Sequence, residues 1–207
     1  QPVTAPEFLD RFLATCEAYK IPATILLAKY DLAAADPEAA TAFHATYESA
    51  GYRVVDLSTL DGTGLDAVRA LVAGRTTLVA GNSGVGKSTL VRAIDPSLDI
   101  RTGEISESHR KGRHTTTFSA MYPLAGGGAV IDTPGIKGFG LLDIDGAELW
   151  HYFPEMMRTA PGCRFYNCTH THEPGCAVVE AVRRGEIAPA RYESYLKILD
   201  EDEKYRK

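Results

Sequence analysis

The sequence predicts an α/β fold, a mostly parallel sheet with helices on both faces, followed by a small α-helical C-terminal domain that binds a metal. Three observations carry this expectation. Strand-like apolar runs alternate with helical patterns up to about residue 147. One strand-to-helix joint is the glycine loop Gly81-Asn82-Ser83-Gly84-Val85-Gly86-Lys87-Ser88. Three of the chain's four cysteines, Cys163, Cys168 and Cys176, crowd around His170.

In order, Phe8, Leu9, Phe12, Leu13 and Cys16 recur at helical spacing within residues 7–19. Ile21 to Leu27 reads as a buried strand that runs out into Lys29-Tyr30-Asp31. Asp36 and Pro37 are an N-cap and first turn for a helix to about Ser49. A strand over Tyr52 to Leu57 and a helix over Gly64 to Val72 follow. Thr77-Leu78-Val79-Ala80 is the strand entering the glycine loop, and Thr89 to Ile94 the helix leaving it. Residues 98–118 are polar and irregular, and Gly126-Gly127-Gly128 marks a hairpin before the strand Ala129 to Ile131. Beyond about 147 the pattern changes, with helices expected at Val178–Arg184 and Pro189–Leu199 and a charged tail that frays. The expected domains are 1–147 and 148–207.

A chain of 207 residues has room for one substantial domain and a small appendage. Its 44% apolar and 24% charged content is that of an ordinary globular protein. The net charge of −5 argues against a chain coated in nucleic-acid-binding charge, though not against a local basic patch. The best apolar run, Ala23 to Ala28, is too short for a membrane span, and no signal segment opens the chain. A cytoplasmic monomer with no membrane partner is expected. The chain begins Gln1-Pro2-Val3-Thr4 without Met, which suggests a piece of something longer.

The glycine loop is a complete G-x-x-x-x-G-K-[ST] phosphate cradle. Gly81, Asn82, Ser83, Gly84, Val85, Gly86, Lys87, Ser88 and Thr89 are its candidate contacts. Glycines let backbone N–H groups approach phosphate, Lys87 reaches the β- and γ-phosphates, and the Ser88 hydroxyl ligates Mg²⁺. Asp132-Thr133-Pro134-Gly135 follows an apolar strand, so Asp132 is the second Mg²⁺ group and the Gly135 amide a γ-phosphate contact. Between them, Thr116 is the candidate to complete the Mg²⁺ shell, with Thr115 the alternative. The polarity of this interval suits a segment that orders with GTP and relaxes on hydrolysis.

Lys29-Tyr30-Asp31 resembles the Asn-Lys-x-Asp guanine motif, in which the Asp carboxylate accepts from guanine N1–H and the 2-amino group. The expected nucleotide is therefore GTP or GDP. Ala28 stands where that pattern has Asn, a loss of about 1–3 kcal/mol if a buried polar group is left unpaired. Ser58-Thr59-Leu60 is placed to offer a backbone N–H to guanine O6. Lys29, Asp31 and Ser58 all precede the phosphate loop, whereas the common arrangement puts that loop first. This is the order of a circularly permuted P-loop GTPase.

Cys163-x₄-Cys168-x-His170-x₅-Cys176 is a Cys₃His set of the kind that encloses one tetrahedral structural Zn²⁺, with His172 a competing ligand. Four protein ligands leave no open position for catalysis, and a small segment with few core residues needs such a staple.

The permuted order, Gly112-Arg113-His114-Thr115-Thr116, Asp132-Thr133-Pro134-Gly135-Ile136, the Cys₃His set and Glu173-Pro174-Gly175-Cys176-Ala177-Val178 together resemble the RsgA family of small-ribosomal-subunit biogenesis GTPases. The resemblance implies a bacterial cytoplasmic enzyme that docks on the 30S particle late in its maturation and hydrolyses GTP there. It also implies an N-terminal OB-fold domain that contacts rRNA, which this sequence lacks. Arg110, Lys111, Arg113, Arg183 and Arg184 are the remaining candidate RNA contacts. Ile136 stands where many GTPases carry a water-positioning Gln, so His114 is the candidate substitute and, with Lys87 and Thr116, a candidate catalytic residue. Slow intrinsic turnover, raised by ordering residues 106–117 on the subunit, is expected. An ATP-dependent P-loop enzyme and a zinc-stapled RNA-binding module are the alternatives.

Overall fold

The structure is a computed structural model, and it describes residues 4–82, 84–98, 120–132 and 144–205, without the side chains of 33, 34 and 202–205. Its elements follow the sequence pattern closely. They are α1 (Pro6–Ala18), β1 (Thr24–Ala28), α2 (Pro37–Ala50), β2 (Arg53–Leu57), α3 (Leu65–Val72), β3 (Thr76–Val79), α4 (Lys87–Ile94), β4 (Ala120–Pro123) and β5 (Ala129–Asp132). After a 3-10 stretch at Gly146–Tyr152 come α5 (Pro154–Thr159), α6 (Ala177–Arg183) and α7 (Pro189–Tyr205). Proline opens α1, α2 and α5, where its missing N–H is no loss, and Asp36 caps α2 by accepting from Ala39 N at 3.0 Å. Two departures stand out. β1 begins at Thr24, leaving Ile21 exposed, and α7 runs on through the charged tail to Tyr205.

The chain divides into two compact units that are not contiguous in sequence. One comprises Leu26–Ala35 and Val55–Gly138, with Gln1–Pro2. The other comprises Val3–Ile25, Asp36–Val54 and Phe139–Lys207. β1 and β2 pair as a two-stranded sheet.

In the first unit β3, β5 and β4 form a sheet in that order. β3 and β5 are parallel, with Val79 opposite Asp132, and β4 returns antiparallel through the glycine hairpin. The parallel register brings the end of β5 beside the strand that feeds the glycine loop, so both functional strand ends open on one edge. Leu90 and Ile94 of α4 pack with Val68 and Val72 of α3 and with Val55 and Leu57 of β2. Val91 packs on Val130. Gly64, at φ 73, passes the Asp56 carbonyl so closely that a Cβ would lie 1.9 Å from its oxygen.

In the second unit Leu149, Phe153, Met156, Val178, Tyr195 and Ile198 form the core, and a smaller cluster joins Leu13 of α1 to Tyr47 and Ala50 of α2. Between them lies Arg191, 1% exposed. Its guanidinium donates to Asp10 Oδ1 at 2.6 Å and to both carboxylate oxygens of Glu155, at 2.8 and 3.2 Å. The faces of Phe153, Tyr52 and Tyr47 surround its cation at 4.6, 5.5 and 5.8 Å. Burial opposes the charge, but Asp10 and Glu155 outweigh it and hold the group protonated. Burial also pushes the Asp10 carboxyl upward, and the Arg191 guanidinium 2.6 Å away works against that shift.

Replacing Arg191 by Leu leaves two buried carboxylates without their counter-charge. The variant is expected to lose about 3–5 kcal/mol, read as a shift in the urea midpoint.

Candidate nucleotide site and metal centre

The glycine loop joins β3 to α4 in the first unit; its Ser83 lies outside the described residues. Gly86 caps α4 at φ 103, a left-handed conformation that a side chain would strain. Lys87 opens the helix and turns back, donating from Nζ to Gly81 O and Asn82 O, each at 2.9 Å. Burial lowers its ammonium pKa, and nearby Asp132 works the other way. The next residue, Ser88, donates from Oγ to Asp132 Oδ2 at 3.0 Å. Asp132 is 5% exposed, and its Oδ1 is buried without a partner among the described residues. A hydroxyl beside an unpartnered carboxylate oxygen is a fitting donor pair for a hard cation. Val85 is half-buried in the loop and Thr89 exposed on the first turn of α4.

The base-reading segment reaches the same loop. Lys29 leaves β1 at φ 60, uncommon for a residue with a side chain, and its Nζ donates to Gly84 O at 3.3 Å. Tyr30 and Asp31 begin a 3-10 turn at Tyr30–Ala35. Asp31 Oδ1 accepts from the Ser58 hydroxyl at 2.7 Å. Ser58 is fully buried; its Oγ also accepts from Leu60 N at 3.2 Å, and its own N–H is taken by Thr63 O at 3.0 Å. The sequence singled out this segment for a backbone N–H. The structure adds a hydroxyl that braces the Asp31 carboxylate, which no spacing rule signals. His114, Thr115, Thr116, Gly135 and Ile136, with Arg110, Lys111 and Arg113, lie outside the described residues.

In the second unit the ligand atoms of Cys163, Cys168, His170 and Cys176 lie within 4.8 Å of one another. His170 Nδ1 is 3.5 Å from the sulfurs of both Cys163 and Cys176, which are 4.0 Å apart. Metal–sulfur bonds of about 2.3 Å and a metal–nitrogen bond of about 2.0 Å at tetrahedral angles place nitrogen and sulfur about 3.5 Å apart and two sulfurs about 3.8 Å apart. The set therefore fits a tetrahedral ion. His172 is not in it; its Nδ1 pairs with Thr171 Oγ1 at 2.7 Å. Cys176 caps α6, its sulfur accepting from Val179 N at 3.5 Å. Burial lowers the His170 pKa, favouring the neutral imidazole that binds metal. His170 Nε2 is buried without a hydrogen-bond partner among the described residues, and the chain's single tryptophan, Trp150, lies edge-to-face with the ring at 4.8 Å. Sequence reasoning missed Glu173 as a group in its own right. Burial pushes its carboxyl up, but hydrogen bonds from the Thr169 hydroxyl and from nearby backbone N–H groups outweigh that and hold it well below the usual range.

A strand opening into a phosphate loop, a carboxylate at the end of the parallel neighbour and a base-reading segment earlier in the chain define a P-loop nucleotide-binding protein of permuted motif order. Residues 1–142 match the family model described as RsgA GTPase, and the chain belongs to that family. It is 52% identical over 211 residues to a Porphyromonas gingivalis protein named small ribosomal subunit biogenesis GTPase RsgA, covering 99% of this chain and 67% of that one. A Bacteroides fragilis protein of the same name is 49% identical over 208 residues, with coverage of 99% and 67%. Among solved structures, YjeQ from Thermotoga maritima matches with a TM-score of 0.81 at 34% identity, over 97% of this chain and 67% of that one. YloQ, described as a circularly permuted GTPase, matches with a TM-score of 0.77 at 34% identity, over 100% and 66%.

Burial raises the thiol pKa values of Cys168 and Cys176 in the metal-free chain, so both carry protons at neutral pH. A metal ion binds the thiolates and must displace those protons. Affinity is expected to rise with pH throughout the range below these raised thiol pKa values, with proton release on binding. Calorimetric titration in two buffers of different ionisation enthalpy checks the sign.

Proposed function

We propose that this chain binds GTP and hydrolyses it to GDP and phosphate in the late maturation of the 30S ribosomal subunit. The observation that carries the reading is Lys29 Nζ on Gly84 O, which joins the guanine-type segment to the phosphate loop across 55 positions of sequence. The relatives' shared name supplies the process. Residues 1–147 would form the GTPase part and 148–207 a zinc-stapled part that contacts the subunit or its rRNA, in a cytoplasmic monomer.

The loop amides and Lys87 would hold the β- and γ-phosphates, Lys87 exchanging its two carbonyl partners for phosphate oxygens. Ser88 and Asp132, with Thr116, would hold Mg²⁺, which when bound neutralises phosphate charge. Asp31, braced by Ser58, would read the guanine edge. Gly135 would contact the γ-phosphate, and His114 would orient the attacking water, since Ile136 offers no polar atom. Cys163, Cys168, His170 and Cys176 would hold one structural Zn²⁺, with no part in the chemistry.

Single-turnover hydrolysis is expected to be slow for the free chain and faster with purified 30S particles. Equal rates with and without them would defeat the ribosomal reading. Lys87→Ala should abolish turnover in both settings, and His114→Ala should remove only the stimulated part. GTP and GDP, not ATP, should displace a fluorescent GDP; equal displacement by ATP would defeat the guanine reading. Ala28→Asn is expected to tighten GDP binding by about 1–3 kcal/mol, read from the same titration.

A further inference from the structure

The metal ligands are held by a loop whose backbone is pinned on both sides. Oε1 of Glu173 accepts from Thr169 N and from Thr169 Oγ1, each at 2.6 Å. Its Oε2 accepts from Thr171 N at 3.1 Å and His172 N at 3.2 Å. The carbonyls of the same stretch face α7, where Tyr195 donates to Thr169 O at 2.6 Å and Tyr192 to His170 O at 2.7 Å. Between these anchors His170 sits at φ 59, a left-handed conformation that costs any residue with a Cβ. In this turn Nδ1 faces the sulfurs of Cys163 and Cys176, both 3.5 Å away. We propose that Glu173 is the positioning residue of the metal centre: its carboxylate, with Tyr192 and Tyr195, sets the His170 turn before an ion arrives.

The chemistry requires a carboxylate of this length. Three of the four donors are backbone N–H groups that cannot reverse, so an amide in either orientation turns an NH₂ group, which accepts nothing, against at least one of them. Aspartate is one methylene short of spanning Thr169 to His172. The unusual φ at His170 is thus maintained by neighbouring hydrogen bonds, and the ion meets a ligand already in place.

The inference rests on the metal reading of the Cys₃His set, and the experiment separates the two. The full chain is stripped of metal and titrated with Zn²⁺ against a chromogenic chelator, and with Co²⁺ by visible absorption, with Trp150 fluorescence as a second reporter. Wild type should bind both ions; failure to bind either would overturn the metal centre and the proposal with it. Glu173→Gln should weaken Zn²⁺ binding by about tenfold or more and change the Co²⁺ bands, as loss of a ligand-orienting partner does. Thr169→Val, a milder change at an exposed residue, should weaken it by less and in the same direction. Glu186→Gln, at an exposed carboxylate paired with Arg184, should leave it unchanged. Thermal unfolding with and without Zn²⁺ distinguishes positioning from general stability. Glu173→Gln should destabilise the zinc-loaded chain more than the metal-free chain. Equal destabilisation of both, or wild-type affinity and Co²⁺ bands in both Glu173→Gln and Thr169→Val, would overturn the role of Glu173.

Discussion

A buried guanidinium must be paired wherever it lies, and the second unit is organised around that constraint. Arg191 of α7 takes Asp10 from α1 and Glu155 from α5, so three segments far apart in sequence meet at one charge. Three aromatic rings close the remaining directions. Removing any partner strands a charge in an apolar core, which makes the arrangement close to all-or-none. Arg158 extends the theme by donating to the carbonyls of Ser49 and Ala50 at the end of α2.

The same helix serves the metal loop. Tyr192 and Tyr195, next to Arg191 in sequence, reach the carbonyls on either side of the His170 turn. A single element therefore carries both the ion-pair hub and the metal loop's supports. A Cys₃His set adds to stability only if its ligands are held in register, since an ion must otherwise bear the entropy of ordering them. In the first unit the corresponding constraint is the parallel pairing of β3 and β5, which sets Asp132 opposite Val79 and within reach of Ser88.

Much of this was legible in the sequence where the physics is short-range. Asp36 and Pro37 announced the start of α2, and the glycine triplet its hairpin. The phosphate loop announced its own strand and helix, because its chemistry demands that context. Spacing picked out His170 over His172 in the metal set, and the motif order carried the permutation. The chemistry of Arg191 was not legible. An arginine among Tyr192, Tyr195 and Ile198 reads as a solvated residue on a helix until α1 and α5 are packed against it. The role of the Ser58 hydroxyl and that of Glu173 escaped for a related reason, since each acts through hydrogen bonds set by turns that no periodicity records.

The sequence by itself determined which groups exist and in what order: a phosphate-loop motif, a guanine-type segment ahead of it, and a Cys₃His set whose spacing suits a metal ion. Each is encoded by residues a few positions apart, whose local hydrogen bonding permits little else. Only the tertiary structure decided which distant groups meet. It laid Lys29 on the loop carbonyl, set Ser88 beside Asp132 and assigned α1 and α2 to the unit of the C-terminal helices. Those pairings depend on strand register and on the burial of charge, which are properties of the packed chain.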